Sequence, residues 1–187
     1  MNPYSPATVS GNSTDAINTH AFLQQAVDHY PRLAAFSFTL TLPHRETVAD
    51  YRSLILRFHT EVWQRTGACS QERQQERKNS PPTVLRWIWE AASAPECKMV
   101  LMLNLDTLGT ERNPQMADGA PQALNTIIAD TWQRVAGTAC AGVTSMTQNI
   151  FSRAGRDAFT VPFNQLKTRV QEMTIPVALA RTGVICT

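Results

Sequence analysis

The sequence has no pair of cysteines at the spacing of a zinc or redox motif. Its 187 residues include four cysteines, Cys69, Cys97, Cys140 and Cys186, and no C-x-x-C occurs among them. Scattered cysteines of this kind indicate reduced thiols in a cytoplasm rather than a metal centre or a disulfide framework. We therefore expect no bound metal and no cofactor.

Signals for secretion and for membranes are also missing. The first residues contain neither the charged segment nor the apolar segment of a signal peptide. No apolar run approaches the roughly 20 residues that a membrane-spanning helix needs. These absences predict a cytoplasmic protein without a membrane partner.

A strong excess of positive charge is missing as well. The formal net charge is +2, and charged residues make up 17% of the chain. Dedicated nucleic-acid binders usually carry a larger basic excess. The composition is therefore compatible with DNA binding but does not by itself indicate it.

The sequence does contain enough apolar material for one folded domain. Hydrophobic residues make up 43% of the chain, which excludes global disorder. Residues 1–14 are mostly Asn, Ser, Pro and Thr and predict a flexible tail, whereas residues 15–187 predict a single domain.

Two predicted strands near the middle of the chain organise the rest. Residues 83–89 are rich in β-branched and aromatic side chains, and residues 99–103 form an unbroken apolar run of strand length. The short connection between them contains Pro95, which favours an antiparallel hairpin. A further strand is predicted at residues 34–42, where alternating apolar and hydroxyl side chains indicate one buried face.

Helical periodicity surrounds these strands, and residues 140–146 predict one more strand. The predicted helices run from Thr14 or Asp15 to about Tyr30, from residue 46 to 64 with an end at Gly67, from 122 to 135, and from 161 to 174. Together these elements predict an α+β domain: a central, mainly antiparallel sheet with helices packed on one face.

The polar segment 70–82 has two interpretations. It is either a solvated loop or helix extension, or a basic finger in which Arg73, Arg77 and Lys78 reach phosphate groups. Glu72 and Glu76 dilute the positive charge and favour the first interpretation.

Short motifs in the predicted hairpin resemble those of a replication-protein family. Leu85-Arg86-Trp87-Ile88-Trp89 matches a first strand of the form L-R-Y-x-W-V-R-E, and residues 100–106, VLMLNLD, followed by Leu108-Gly109, match the second. The family is the inovirus-type gene-2-like replication proteins of prophages and genomic islands, which are similar to HUH-type rolling-circle initiators. The resemblance implies an HUH/RRM-like fold encoded on a mobile genetic element.

The resemblance also implies where the reactive groups of the family would lie. The two metal-binding histidines fall on Glu96 and Lys98, with Cys97 between them. The other positions are Ala92 for an acid at the end of a strand, Glu172 for the nucleophilic tyrosine and Ile175 for its assisting lysine. Every reactive residue is thus replaced, which predicts a degenerate site without catalytic residues.

The replacements remove the family's chemistry. An ammonium group such as that of Lys98 has no lone pair at neutral pH, so it repels a metal cation, and Glu96 alone is a single ligand. The three tyrosines, Tyr4, Tyr30 and Tyr51, all precede residue 52. A fold that has lost its reactive groups retains only its capacity to bind.

Three hypotheses for function arise from these observations. The first is a catalytically inactive relative of a rolling-circle initiator that binds DNA as an accessory factor or regulator. The second is a mobile-element protein that binds and inhibits a host or competitor protein, which the low net charge favours. The third is a metal-dependent nuclease with a rearranged site at Glu90, Glu96 and Asp106. For the first hypothesis, the candidate nucleic-acid contacts are Lys98, Arg73, Arg77, Lys78 and Arg86.

Overall fold

The structure, a computed structural model, describes residues 11–30, 32–43, 48–76, 84–90, 96–104, 114–137, 142–152, 156–173 and 176–182. Within these residues the helices are Gly11–His29 (α1), Val48–Glu76 (α2), Pro114–Ala136 (α3) and Arg156–Gln171 (α4). The strands are Arg32–Thr41 (β1), Val84–Glu90 (β2), Glu96–Asn104 (β3), Gly142–Ser152 (β4) and Pro176–Thr182 (β5). No helix in these ranges is long and apolar enough to cross a membrane.

These strands form one antiparallel sheet in the order β4-β1-β3-β2-β5. β3 lies at its centre, as its unbroken apolar run predicts. β2 and β3 pair with Trp87 opposite Leu101, so the predicted antiparallel hairpin is confirmed. β1 pairs with the other side of β3, with Phe36 opposite Leu101.

The helices cover both faces of this sheet. α2 and α3 pack on the face that carries Phe36, Trp87 and Leu101. α1 and α4 pack on the opposite face, which carries Leu33 and Val100. The α+β class with a central antiparallel sheet is confirmed, whereas the expectation that the helices lie on one face is wrong. The cause is β3 itself, because consecutive apolar residues point alternately to the two faces and both faces then need cover.

β1 departs from its prediction for a related reason. Its alternating pattern predicts one buried face, yet residues 33–38 are all buried. Ala35 and Ser37 lie on the second face, beneath α1 and α4. Because these side chains are small or polar, the burial of that face leaves little trace in the sequence.

Several boundaries also differ from the sequence prediction. α2 continues through Gly67, its predicted end, to Glu76, because an interior glycine costs a helix only about 1 kcal/mol. This agrees with the helix-extension interpretation of segment 70–82 as far as Glu76. α1 begins at Gly11, inside the predicted tail. α3 begins at Pro114, where a missing N–H costs nothing because the first helical N–H has no partner within the helix. β5 has no counterpart among the predicted strands.

Candidate functional site

A cleft opens on the face of the sheet that α1 and α4 cover. Val100 and Met102 belong to this face. Since side chains alternate along a strand, Lys98 projects to the same side, where it is exposed. The cleft has a volume of about 230 Å³. Its lining residues are Ser37, Phe38, Thr39, Lys98, Met99, Val100, Ser145, Arg169, Glu172 and Met173.

Three charged side chains from two distant parts of the chain line this cleft, which we call the Lys98 cleft. Lys98 comes from β3, Arg169 from the last turn of α4, and Glu172 from the residue that follows α4. The negative end of the helix dipole favours a cation at Arg169. Glu172 lies three residues further on, at the spacing of a helical ion pair. With two cations and one carboxylate, the cleft has a net positive charge that suits an anion.

A buried hydroxyl group adds a hydrogen-bond donor to the cleft. Ser37 is only 2% exposed, and its Oγ has no hydrogen-bond partner within the described part of the chain. Its cross-strand neighbour Thr147 also has a buried hydroxyl without a partner. Burial without a partner costs a hydroxyl about 1–3 kcal/mol, and such groups occur in proteins where a ligand or water completes them.

The backbone beside Ser37 is irregular. The pairing of β1 with β4 shifts register between Ser37 and Thr39, so β4 contains a β-bulge there. Within the bulge, Ser145 has a φ of +54°, in the left-handed region that residues other than glycine seldom adopt. Bulges are over-represented next to functional sites because they redirect side chains, and Ser145 lines the cleft.

A family model matches most of the chain. The family described as Uncharacterised conserved protein UCP030791 matches residues 11–148. The chain belongs to this family. No curated protein and no solved structure matches the chain.

The UCP030791 match includes only part of the Lys98 cleft. It runs from the first residue of α1 into β4, so Ser37, Lys98 and Ser145 lie inside it. Arg169 and Glu172 lie beyond its end. The sheet side of the cleft is therefore built from the segment that defines the family, and the helical side from the segment that follows.

Residues 96–98 of β3, where the resemblance places the metal-binding histidines, divide between the two faces of the sheet. Cys97 belongs to the core beneath α2 and α3 and is completely buried. Its Sγ lies 3.5 Å from the carbonyl oxygen of Glu90, to which it donates. Burial, aided by the nearby Glu90 carboxylate, raises the pKa of the Cys97 thiol to about 12. Cys97 is thus a packing residue, while Glu96 and Lys98 are exposed on either side of it.

The carboxylate of Glu90 has a structural partner at the same end of the hairpin. Its Oε1 accepts a hydrogen bond from the backbone N–H of Lys98 at 2.9 Å. Among the described residues no group of three His, Cys, Asp or Glu side chains is placed to hold a metal ion. Asp106, the third member of the rearranged metal site, lies outside those residues.

Arg86 has to be removed from the candidate nucleic-acid contacts. It is 8% exposed, its Nη2 lies 2.9 Å from Nδ1 of His29, and its guanidinium carbon is 5.7 Å from the centre of the Tyr30 ring. Burial raises the pKa of the Tyr30 hydroxyl, although Arg86 opposes that shift. Arg86 is therefore engaged with α1 inside the domain and cannot reach a phosphate in solution.

The remaining candidates fall where the structure gives no side chain. The backbone of Arg73 lies in the C-terminal part of α2. Arg77, Lys78, Ala92 and Ile175 lie outside the described residues. The basic-finger interpretation of segment 70–82 therefore stays a prediction.

Four polar or charged residues of the Lys98 cleft are absent from the sequence-based candidates: Ser37, Thr39, Ser145 and Arg169. The alternating pattern of β1 already places Ser37 and Thr39 on one face of the strand, so these two of the four residues could have been grouped from the sequence. Arg169 lies three residues before Glu172, but its charge alone did not single it out among the basic residues of the chain. Nothing in the sequence indicates the bulge at Ser145.

Proposed function

We propose that this protein is a catalytically inactive relative of the rolling-circle initiators that binds the phosphate backbone of DNA in the Lys98 cleft. One observation carries the proposal: Lys98 and Glu172 line the same cleft. The resemblance assigns these positions to a metal-binding histidine and to the nucleophilic tyrosine. In an initiator those two groups must meet at one phosphate, so their convergence here supports a shared architecture.

The chemistry of the cleft suits a phosphate group. The Lys98 ammonium supplies a compact positive charge, and the Arg169 guanidinium can donate two parallel hydrogen bonds to phosphate oxygens. Ser37 has a buried hydroxyl with no partner in the described structure and so has a hydrogen to donate. The carboxylate of Glu172 repels an anion, which places the phosphate on the Lys98 side of the cleft.

Cleavage by the family's route requires a phenol at the phosphate. Of the tyrosines in the described residues, Tyr30 is buried beside Arg86 and Tyr51 of α2 is buried in the core, and neither lines the cleft. Tyr4 lies outside those residues. At the position that the resemblance gives to the nucleophile stands Glu172. We therefore propose that the protein holds DNA without forming a covalent link to it, as an accessory factor or regulator in the cytoplasm.

The proposal is tested by titrating the purified protein against single- and double-stranded DNA at several salt concentrations, with cleavage followed in the same samples. We expect binding that weakens as salt increases, because phosphate binding releases counterions. Lys98→Glu should weaken binding about tenfold and reduce the salt slope by about 1. Lys167→Glu is the matched control, since it makes the same charge change on α4 outside the lining of the cleft.

Three results would contradict the proposal. Absence of binding at low salt would remove the DNA-binding function and favour a protein target. An equal loss of affinity in Lys98→Glu and Lys167→Glu would show that only overall charge matters. Metal-dependent cleavage that Glu96→Ala abolishes would favour the nuclease hypothesis instead.

A further inference from the structure

Glu172 is the only negatively charged residue among the described residues that line the Lys98 cleft. Its backbone position is fixed by the turn that closes α4. The N–H of Glu172 donates to the carbonyl oxygen of Thr168 at 3.0 Å, and the N–H of Met173 donates to that of Val170 at 3.2 Å. Met173 is buried in the core beneath α4. Glu172 is therefore held at the cleft by ordered backbone on both sides.

The domain itself gives the Glu172 carboxylate no structural role. The side chain is exposed, and within the described part of the chain it makes no hydrogen bond or ion pair. It also follows the last residue of α4, where the negative end of the helix dipole disfavours a carboxylate. The charge of Glu172 thus contributes nothing to packing or to the stability of α4, and its effect falls on what enters the cleft.

The phosphate groups that could enter differ in charge. A phosphodiester within a nucleic-acid chain carries one negative charge. A phosphate monoester, as in a free nucleotide or at a chain end, carries about 1.5 to 2 at neutral pH. The repulsion from Glu172 increases with the charge of the ligand, so it weakens the binding of a monoester more than that of a diester.

The balance of charges in the cleft matches the diester. Lys98 and Arg169 supply two positive charges and Glu172 removes one, which leaves one for the ligand. A diester neutralises that charge. A monoester brings more negative charge than the cleft can compensate, and its second charge costs more to take out of water.

The size of the cleft makes this charge balance the main basis for selection. Its volume of about 230 Å³ is below the roughly 300–1,000 Å³ of sites that enclose a small organic ligand. The cleft therefore receives a phosphate group while most of the attached nucleoside stays outside. Selection between ligands then depends on the phosphate itself.

We propose that Glu172 makes the Lys98 cleft selective for the phosphodiesters within a nucleic-acid chain over phosphate monoesters. This inference rests on the proposed DNA-binding function and specifies which phosphates of DNA the cleft takes. A protein with this selectivity binds along a strand rather than at a phosphorylated end, and free nucleotides compete with DNA poorly.

NMR titration of the intact, isotope-labelled protein tests the proposal with two ligands that share base and sugar. One is two thymidines joined by a single phosphodiester, and the other is thymidine monophosphate. We expect the wild type to bind the diester at least as tightly as the monoester. Glu172→Gln should improve binding of the monoester about fivefold more than binding of the diester, as removal of one nearby charge in water predicts. Glu172→Asp keeps the charge and should retain the preference of the wild type.

Glu61→Gln is the matched control, because it removes an exposed carboxylate of α2 outside the lining of the cleft. It should leave the ratio of the two affinities unchanged. A wild type that prefers the monoester, a Glu172→Gln variant with the wild-type ratio, or an equal change of ratio in Glu61→Gln would each overturn the selectivity. None of these results bears on the proposed function, which the DNA titration with Lys98→Glu decides separately. If neither DNA nor either ligand binds, both proposals are overturned.

Discussion

The guanidinium Nη2 of Arg86 lies 2.9 Å from the imidazole Nδ1 of His29, and this hydrogen bond joins β2 to the last turn of α1. A guanidinium only donates hydrogen bonds, so Nδ1 of His29 accepts this one and carries no proton. Arg86 is buried and meets two neutral rings there, those of His29 and Tyr30. Within the described part of the chain, hydrogen bonding to His29 and the ring of Tyr30 are the contacts that surround the Arg86 charge.

Removal of the acceptor should destabilise the domain. We expect His29→Ala to lower the free energy of unfolding by about 1–2 kcal/mol, because the buried guanidinium then loses a hydrogen-bond partner. His20→Ala is the matched control: His20 is an exposed histidine of the same helix and should change the free energy of unfolding by less than about 0.5 kcal/mol. Urea denaturation measures both, and equal effects would show that the Arg86–His29 contact contributes nothing.

Replacement of Arg86 itself should cost the domain little or no stability. Arg86→Met keeps the apolar stem and removes a buried charge whose Nη1 has no hydrogen-bond partner in the described structure. We expect the free energy of unfolding to stay within about 1 kcal/mol of the wild type or to rise, as with other buried charges replaced by apolar side chains. A large loss of stability, measured by the same denaturation, would show that the charge has a partner that stabilises it.

The thiol of Cys97 should be protected in the folded protein. Because its pKa is raised to about 12, almost none of the reactive thiolate exists near neutral pH, and the side chain is buried as well. In a variant with Cys69, Cys140 and Cys186 replaced by serine, we expect no labelling by a thiol reagent under native conditions and one label after denaturation. Labelling of the native protein would contradict the burial of Cys97.

The raised pKa of Cys97 also makes the stability of the folded protein depend on pH. The folded state raises the pKa of Cys97 from 9.0 to about 12, so its contribution to stability is complete below pH 9.0 and is lost as the pH rises toward 12. We expect the wild type to lose stability over this range more steeply than Cys97→Ala. Parallel pH profiles of the two proteins, followed by denaturation, would show that the thiol does not titrate there.

The strands of the sheet differ in how clearly the sequence predicts them. The unbroken apolar run of β3 and the alternation in β1 identify strands, because side-chain burial there follows a simple period. The second buried face of β1 is not visible, since Ala35 and Ser37 are small or polar, and β5 is not visible because it is a short edge strand opened by Pro176. Burial depends on what packs against a residue, and that information lies in distant segments of the chain.

The residues of the candidate site likewise divide into those that the sequence identifies and those that depend on tertiary pairing. Lys98 and Glu172 were identified by position in a family pattern, and the structure places both on one cleft. Arg86, which belongs to the strand motif, was a candidate nucleic-acid contact, and the structure buries it against α1. The contributions of Ser37 and Ser145 depend on the register of β1 with β4, which is set by tertiary pairing rather than by local sequence.

The bulge in β4 stores conformational strain at Ser145. A side chain in the left-handed region costs about 1–2 kcal/mol, a cost that glycine avoids. We therefore expect Ser145→Gly to raise the free energy of unfolding by about 1 kcal/mol. Thr144→Gly is the matched control, because Thr144 is an exposed neighbour on the same strand without a positive φ, and it should lower stability. A loss of stability in Ser145→Gly would mean that the serine hydroxyl stabilises the bulge.

Ser37 should show opposite effects on stability and on binding. Its buried Oγ has no partner in the described structure, so Ser37→Ala removes an unpaired polar group and should raise the free energy of unfolding, by up to about 1 kcal/mol. If the hydroxyl donates to a bound phosphate, the same variant should weaken DNA binding several-fold. Thr147→Val removes the neighbouring unpaired hydroxyl, which does not line the cleft, and should change stability without changing affinity. Denaturation and DNA titration of both variants separate the two roles. A Ser37→Ala variant that is more stable but binds DNA with unchanged affinity would show that the hydroxyl does not contact the bound phosphate.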